Sequence, residues 1–292
     1  MDINKYAIFV LSAETGCLTR AAAQMHYTQT AASHMLASLE TELGVRLLTR
    51  SHRGVAPTPA GEAVLPYARK IVENDRRIRQ LTAPGGRQKG LVRIGAITSV
   101  AVRWLPEIML RFRRKYPGIE LELNDAANYE AIRDWFGQGR IDCAFAADAA
   151  ADDMKTQQLC RDPFRVILPA GHPLCRCEKI KPALLAGETF LVPSEGVHHS
   201  VGRILRQAKG RVPDTGRLSD RAAIAMVRRG CGVSILPELV LDCYSCEGIE
   251  RRSLEPECFR TIYLAVPAGK APLPAERAFL RFVRSWAEKL GA

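Results

Sequence analysis

Gln29, Thr30, Ser33 and His34 share one face at helical spacing, with Thr28 just ahead of them. Gln can bond adenine bidentately, and small hydroxyls reach a base edge or a phosphate. Arg50, His52 and Arg53 form a second cluster, whose charge suits a phosphate backbone or a minor groove. Small polar residues recur further on, at Thr98-Ser99, Asn124-Asp125, Asn128, and Ser194 with His198-His199. Hydroxyls and free N–H groups at a helix start form an anion site, although Thr98 and Ser194 can equally be helix caps. His198-His199 has the composition of a metal pair or a pH switch, and equally of an exposed loop. Cys243-x-x-Cys246 and Cys175-x-Cys177, with His172 nearby, look like parts of a zinc site. A structural zinc site takes two such pairs, or one pair with spaced histidines, so neither a metal nor a cofactor is expected.

These residues need elements to carry them. Residues 2–13 place Ile3, Tyr6, Ala7 and Val10 at helical spacing, and Gly16 ends that helix. Thr19 can cap a short helix from Arg20 to Met25, and Thr28 a third running to about Leu43, where Gly44 stops it. The third helix turns Ala32, Met35, Leu36, Leu39 and Leu43 inward, and Ser38 joins its polar face. Two helices joined by a short turn, with Ala21-Ala22-Ala23 at the approach, have the helix-turn-helix pattern. An ordinary helical hairpin with a solvated polar face has the same pattern. Leu47 to Thr58 then reads as a β-hairpin wing with basic residues at its tip.

Thr58 caps a long helix to about Leu81, with Pro59 at its first position and Pro66 expected to bend it. Val64, Ala68, Ile71, Asp75 and Ile78 repeat at spacings of 4, 3, 4 and 3, a coiled-coil seam that implies a dimer. A single amphipathic helix packed on its own domain is the other reading. Residues 83–90, with Pro and three Gly among eight positions, form a hinge, after which strands alternate with helices. Residues 91–97 read as a strand before a helix from Val102 to Tyr116. Strands at Glu120–Leu123 and Phe190–Val192 precede the Asn124–Asn128 and Ser194–Ser200 loops.

The chain has 292 residues and a formal net charge of +11. Residues 1–90 carry twelve Lys/Arg against seven Asp/Glu, the denser share of that excess, which favours polyanionic partners. No run of about 18 apolar residues would span a membrane. The start, Met1-Asp2-Ile3-Asn4-Lys5, does not read as a leader, so a cytoplasmic location is expected. Nine cysteines, an odd number, argue against a disulfide framework in that setting. Nucleophile elbow, P-loop, Gly-x-Gly-x-x-Gly and His-Glu-x-x-His signatures are missing, so no enzyme is expected.

The sequence closely resembles the LysR-type transcriptional regulators. Leu18-Thr19-Arg20-Ala21-Ala22-Ala23, Thr28-Gln29-Thr30-Ala31-Ala32-Ser33-His34, Leu39-Glu40 with Leu43-Gly44, and Leu47-Leu48 with Arg50 carry the likeness, followed by Thr58-Pro59-Ala60-Gly61. Gly90 to Gly95, Tyr116-Pro117-Gly118, Gly139-Arg140-Ile141-Asp142, His172-Pro173-Leu174 and Gly230 to Pro237 continue it in family order. The resemblance implies an all-α winged helix-turn-helix domain (1–58), a linker helix for dimerisation (59–82) and an α/β effector domain (91–292) built like a periplasmic binding protein. Its subdomains would be about 91–161 with 267–292, and about 162–266.

Carried over by position, Thr19, Thr28, Gln29, Thr30, Ser33, His34, Arg50 and Arg53 would face DNA. Many relatives have Arg at the place of His34, a stronger phosphate anchor. Thr98, Ser99, Asn128, Ser194, His198 and His199 would line the effector cleft; Val64, Ala68, Ile71 and Ile78 would form the dimer seam. The expected partners are promoter DNA, a small-molecule effector, most simply a small organic anion, and a second copy in a dimer or tetramer. Peroxide-sensing relatives place a cysteine after a glycine in the loop that here reads Glu195-Gly196-Val197-His198-His199, and none stands there. Cys231, between two glycines in an apolar context, reads as a buried thiol. The rival readings are a small-molecule binding or transport component without DNA binding, and a thiol- or metal-responsive regulator.

Overall fold

A computed structural model describes residues 2–51, 54–82, 89–126, 129–147, 154–193, 199–208, 211–212 and 218–289. They divide into two units, Met1–Lys89 with Phe136–Arg140, and Gly90–Trp135 with Ile141–Ala292. No helix among the described residues is long and apolar enough to cross a membrane.

The first unit runs α1 (Ile3–Thr15), α2 (Leu18–Gln24), α3 (Gln29–Leu43), β1 (Leu48–Ser51), β2 (Gly54–Pro57) and α4 (Pro59–Thr82). Local chemistry sets most of these limits. Asp2 accepts the Asn4 N–H at 3.0 Å and Thr28 Oγ1 the Ala31 N–H at 3.2 Å, each satisfying a free donor of a first turn. Gly16 and Gly44 end α1 and α3 in the left-handed region, at φ 63° and 70°. The three helices close over Ile8, Phe9, Leu18, Ala22, Ala32, Leu36 and Leu39, and Leu47 joins them from the wing. Burying one such Leu or Phe contributes roughly 1.5–3 kcal/mol.

Expectations for α2, α3 and α4 are corrected here. Helix α2 starts at Leu18 with Cys17 in the N-cap position, so Thr19 lies inside the first turn and is not its cap. In α4, Ala68 is completely buried in the unit's own core and so is not available to a dimer seam, while Val64 is half-buried against that core. Arg69 bonds Glu14 at 3.0 Å and fixes that same side of α4 to α1. The apolar residues left exposed are Tyr67, Ile78 and Leu81. With Ile71 and Asn74 they repeat at spacings of 4, 3, 4 and 3, a stripe that keeps Ile71 and Ile78 of the expected seam and puts Tyr67 and Asn74 in place of Ala68 and Asp75. Pro66 lies inside α4, which continues through it as one helix. Leu43, expected inside, is 39% exposed.

The second unit contains β3 (Gly90–Ile97), α5 (Thr98–Arg103), α6 (Leu105–Lys115), β4 (Ile119–Ala126), α7 (Tyr129–Gly137, its last two residues grouped with the first unit), β5 (Cys143–Ala147) and β6 (Met154–Pro169). It continues with β7 (Lys179–Ile180), α8 (His199–Ala208), α9 (Asp220–Arg228), β8 (Ser234–Pro237), α10 (Glu238–Leu241), β9 (Ile249–Leu254), β10 (Phe259–Pro267) and α11 (Pro274–Ala287). The strand order is β4-β3-β5-β10-β6-β9-β7, with β8 also on β6. Strands β3, β4 and β5 are parallel, whereas β10 is antiparallel to both β5 and β6.

Strand β6 belongs to two subdomains. Its first half pairs with β10 and its second with β8 and β9. Because β10 sits inside the first sheet, residues 259–266 move from the second subdomain to the first, a correction to the expected boundary. The expected helix from Val102 to Tyr116 is two helices, α5 and α6, meeting at Trp104. Asn124 and Asp125 lie within β4, not after it. Phe190 to Val192 is no strand; Thr189 and Phe190 form single bridges to Arg211 and Val233.

Family-pattern residues find local reasons. Asp142 is buried and pairs with Arg93 at 2.9 Å, also accepting its backbone N–H at 2.8 Å, which ties β3 to the start of β5. His172 Nδ1 accepts the Leu174 N–H at 3.3 Å and caps a turn of 3-10 helix, Pro173–Arg176.

Candidate functional site

In the first unit, Thr28, Gln29, Thr30 and His34 are exposed along the start of α3, and Ser33 is half-buried beside them. The inward side chains Ala32, Leu36 and Leu39 hold this face outward. Arg50 of β1 is exposed and donates through Nη2 to Ser33 Oγ at 2.9 Å, joining the wing to α3. Thr19 is exposed on α2. Arg53 and His52 lie outside the described residues. Ser38, expected on the same polar face, instead accepts from Lys5 Nζ at 2.8 Å and secures α3 to α1.

The wing is placed by backbone contacts. Glu40 Oε1 accepts the Leu47 and Leu48 N–H groups at 2.7 and 3.1 Å, locking the exit of α3 to β1. Thr58 donates through Oγ1 to Arg46 O at 2.6 Å and accepts the Gly61 N–H at 2.9 Å. A Cβ on Gly61 would stand 2.0 Å from Leu47 O, so this helix start can lie on the wing only with glycine there. These contacts explain why Thr-Pro-x-Gly follows the wing.

In the second unit, Thr98 and Ser99 follow the carboxyl end of β3, where ligands of α/β sheets bind. Their side chains part company. Thr98 is exposed and donates to Asp125 Oδ1 at 3.0 Å. Ser99 is buried and accepts from Arg260 Nη2 at 2.9 Å. Arg260 also donates to Asp162 Oδ2 at 2.8 Å, and Asp162 Oδ1 accepts the Leu239 N–H at 3.0 Å. One buried network therefore links α5, β6, β10 and α10. Burial pushes the Asp162 carboxyl above its ordinary range, while the Arg260 charge and the Leu239 N–H pull it back down. The sequence reading missed both Arg260 and Asp162. Asn128, Ser194 and His198 lie outside the described residues, and His199 is described only as the first residue of α8.

The thiols divide by environment. Desolvation raises Cys143 well above a normal thiol and Cys160 to about 11. Cys17 is lowered, first by the Arg20 backbone N–H, at the start of α2. Cys231 is exposed, contrary to the expected burial. Gly230 and Gly232, at φ 76° and 155°, turn the chain outward there, and a Cβ on Gly232 would meet Thr189 O at 2.3 Å. Cys246 Sγ accepts from Arg251 Nη2 at 2.6 Å, and Cys243 Sγ donates to Leu239 O at 3.3 Å, so each has its own partners. Among the described residues no three His, Cys, Asp or Glu side chains gather as a metal site.

Residues 3–62 match the family model described as "Bacterial regulatory helix-turn-helix protein, lysR family", and residues 85–288 match "LysR substrate binding domain". The chain is 28% identical over 288 residues to the uncharacterized HTH-type transcriptional regulator YvbU of Bacillus subtilis, covering 97% of this chain and 98% of that one. It is 27% identical over 276 residues to the HTH-type transcriptional regulator MetR of Escherichia coli, covering 93% and 86%. The structure of full-length OxyR from Pseudomonas aeruginosa superposes with a TM-score of 0.75 at 27% identity, covering 99% of this chain and 95% of that one. The N-terminal helix-turn-helix with its wing and the C-terminal substrate-binding domain both match, and the chain belongs to the LysR family of DNA-binding transcriptional regulators.

Proposed function

We propose that the regulator reads its operator with Gln29, Thr30 and His34, anchors Thr28, Ser33 and Arg50 on the backbone, and answers to a small organic anion held near Thr98 and Ser99. The observation that carries this reading is the exposed polar start of α3, joined to the wing by the Arg50–Ser33 bond. Gln29 suits adenine in the major groove, and Arg50 suits phosphate. His34 is the weaker anchor where many relatives have Arg. Thr19 and Arg53 extend the same contact.

The exposed stripe of Tyr67, Ile78 and Leu81, with Ile71 between, supports a dimer through α4, whose two-fold symmetry suits a palindromic site; a tetramer pairs two such dimers. No enzymatic step is assigned, and the setting is the cytoplasm. In the second unit, Asp125 at the exposed Thr98 hydroxyl favours an effector that carries a donor beside its anionic group, such as an amino or hydroxy acid. Asn128, Ser194, His198 and His199 complete the proposed cleft. The effector acts through its different affinity for two conformations of the domain.

A thermal-shift screen of the full chain against small carboxylates, amino acids and hydroxy acids tests the effector reading. A ligand at about 100 times its Kd adds ~2.7 kcal/mol. A stabilising hit lost in Thr98→Ala supports the site. A hit that survives Thr98→Ala removes Thr98 from it, and a shift on oxidant or chelator alone favours the thiol- or metal-responsive reading.

A further inference from the structure

We propose that the hollow between α6 and α11 is a second ligand site, separate from the effector cleft, and that it takes a nucleoside polyphosphate. Arg111 and Lys115 reach it from the last turns of α6, and Arg281 and Lys289 from α11 and the residues just after it. The hollow measures about 400 Å³, within the usual range for small-molecule sites. None of its lining residues is acidic. Arg111 has Glu107 at 2.5 Å one helical turn away, but both side chains are about half exposed, and such a pair is weak. Four cations and no carboxylate around one concave surface attract a polyanion.

The floor is aromatic. Tyr116, Phe282 and Trp286 line it, and each is braced from behind. Phe112 packs against Tyr116 at 4.8 Å and Phe282 at 5.4 Å, and Trp104 meets Trp286 edge-on at 5.4 Å. A braced aromatic surface offers a flat ring something to stack on at little entropic cost, and Arg and Lys at the rim suit phosphate oxygens. A ring joined to several phosphates matches both halves of the hollow. The site is also remote from Thr98. Thr98 follows the carboxyl end of β3, whereas Tyr116 precedes the amino end of the parallel strand β4. The 11 residues of α6 span roughly 16 Å between these opposite edges of the sheet.

Titration of the full-length protein with ATP, followed by tryptophan fluorescence and calorimetry, tests this. Saturable ATP binding is expected, at least tenfold tighter than adenosine or inorganic tripolyphosphate. The double variant Arg281→Glu, Lys289→Glu should weaken it at least tenfold without moving the ligand-free melting temperature, whereas Thr98→Ala should leave it unchanged. The proposal is overturned if the wild type does not bind ATP, or if the double variant binds it as the wild type does. Tripolyphosphate binding as tightly as ATP overturns the nucleoside assignment. Loss of affinity for non-specific duplex DNA in the double variant, with no ATP binding by the wild type, would make the patch a DNA surface instead.

Discussion

The two units handle their polar groups in opposite ways. In the first, Thr28, Gln29, Thr30, His34 and Arg50 are exposed to solvent, and the contacts that hold them are helix caps and close backbone approaches between α3, the wing and the start of α4. In the second, Ser99 is spent inside the protein on Arg260, and Arg260 on Asp162. An outward polar face on a rigid apolar base suits a long charged partner that arrives from solvent. A buried network across β6 and β10, the strands nearest the subdomain junction, suits a device that must change when a small ligand arrives. A ligand that reaches Thr98 sits one residue from the entry to that network.

The comparison can be broken most forcefully at Arg260. Arg260→Ala leaves Asp162 buried without its guanidinium and should cost about 3–5 kcal/mol in denaturant unfolding. A loss under about 1 kcal/mol would mean that the network does not hold the domain. In the first unit the corresponding weak point is backbone, not charge. Gly61→Ala forces a Cβ toward Leu47 O and should cost about 1–3 kcal/mol, read as a lower melting temperature. An unchanged melting temperature would show that α4 can move off the wing freely.

Ser12 sharpens the contrast from the other side. Its Oγ is buried in α1 with no hydrogen-bond partner among the described residues. Ser12→Ala should therefore be neutral or stabilising by up to about 1 kcal/mol, and a clear destabilisation would reveal a partner for that hydroxyl. Thiol labelling perturbs the fold least. At pH 7 Cys17, lowered by the Arg20 backbone N–H, should react with iodoacetamide before Cys160 and Cys143, which burial raises. Faster labelling of Cys160 would contradict its burial.

This division also explains what could be read from the residues. Thr28 and Gly44, and Thr58 as the cap of α4, act within a few positions of themselves, so the limits of α3 and the start of α4 are legible in sequence, whereas Gly61 answers to Leu47 across the wing. Ala68 fits a dimer seam and a core face equally well by spacing; only its packing under α1 decides. Asp162 and Arg260 are 98 positions apart, and Ser99 and Arg260 are 161 apart, so no local pattern joins them. The subdomain of residues 259–266 is not legible locally, because an antiparallel strand entering between β5 and β6 leaves no mark on its own residues. At Cys231 the apolar neighbourhood in sequence suggests burial, whereas the positive φ angles of the flanking glycines make an exposed turn.

The most direct test of the central claim is footprinting of the full-length protein on the DNA upstream of its own gene, with Gln29→Ala alongside. The account predicts protection of half-sites whose centres lie about 34 Å, or a multiple of that, apart. It also predicts that Gln29→Ala weakens that protection by about 1–3 kcal/mol while non-specific binding is kept. No protected stretch at moderate salt, or equal loss of specific and non-specific binding in Gln29→Ala, would contradict it.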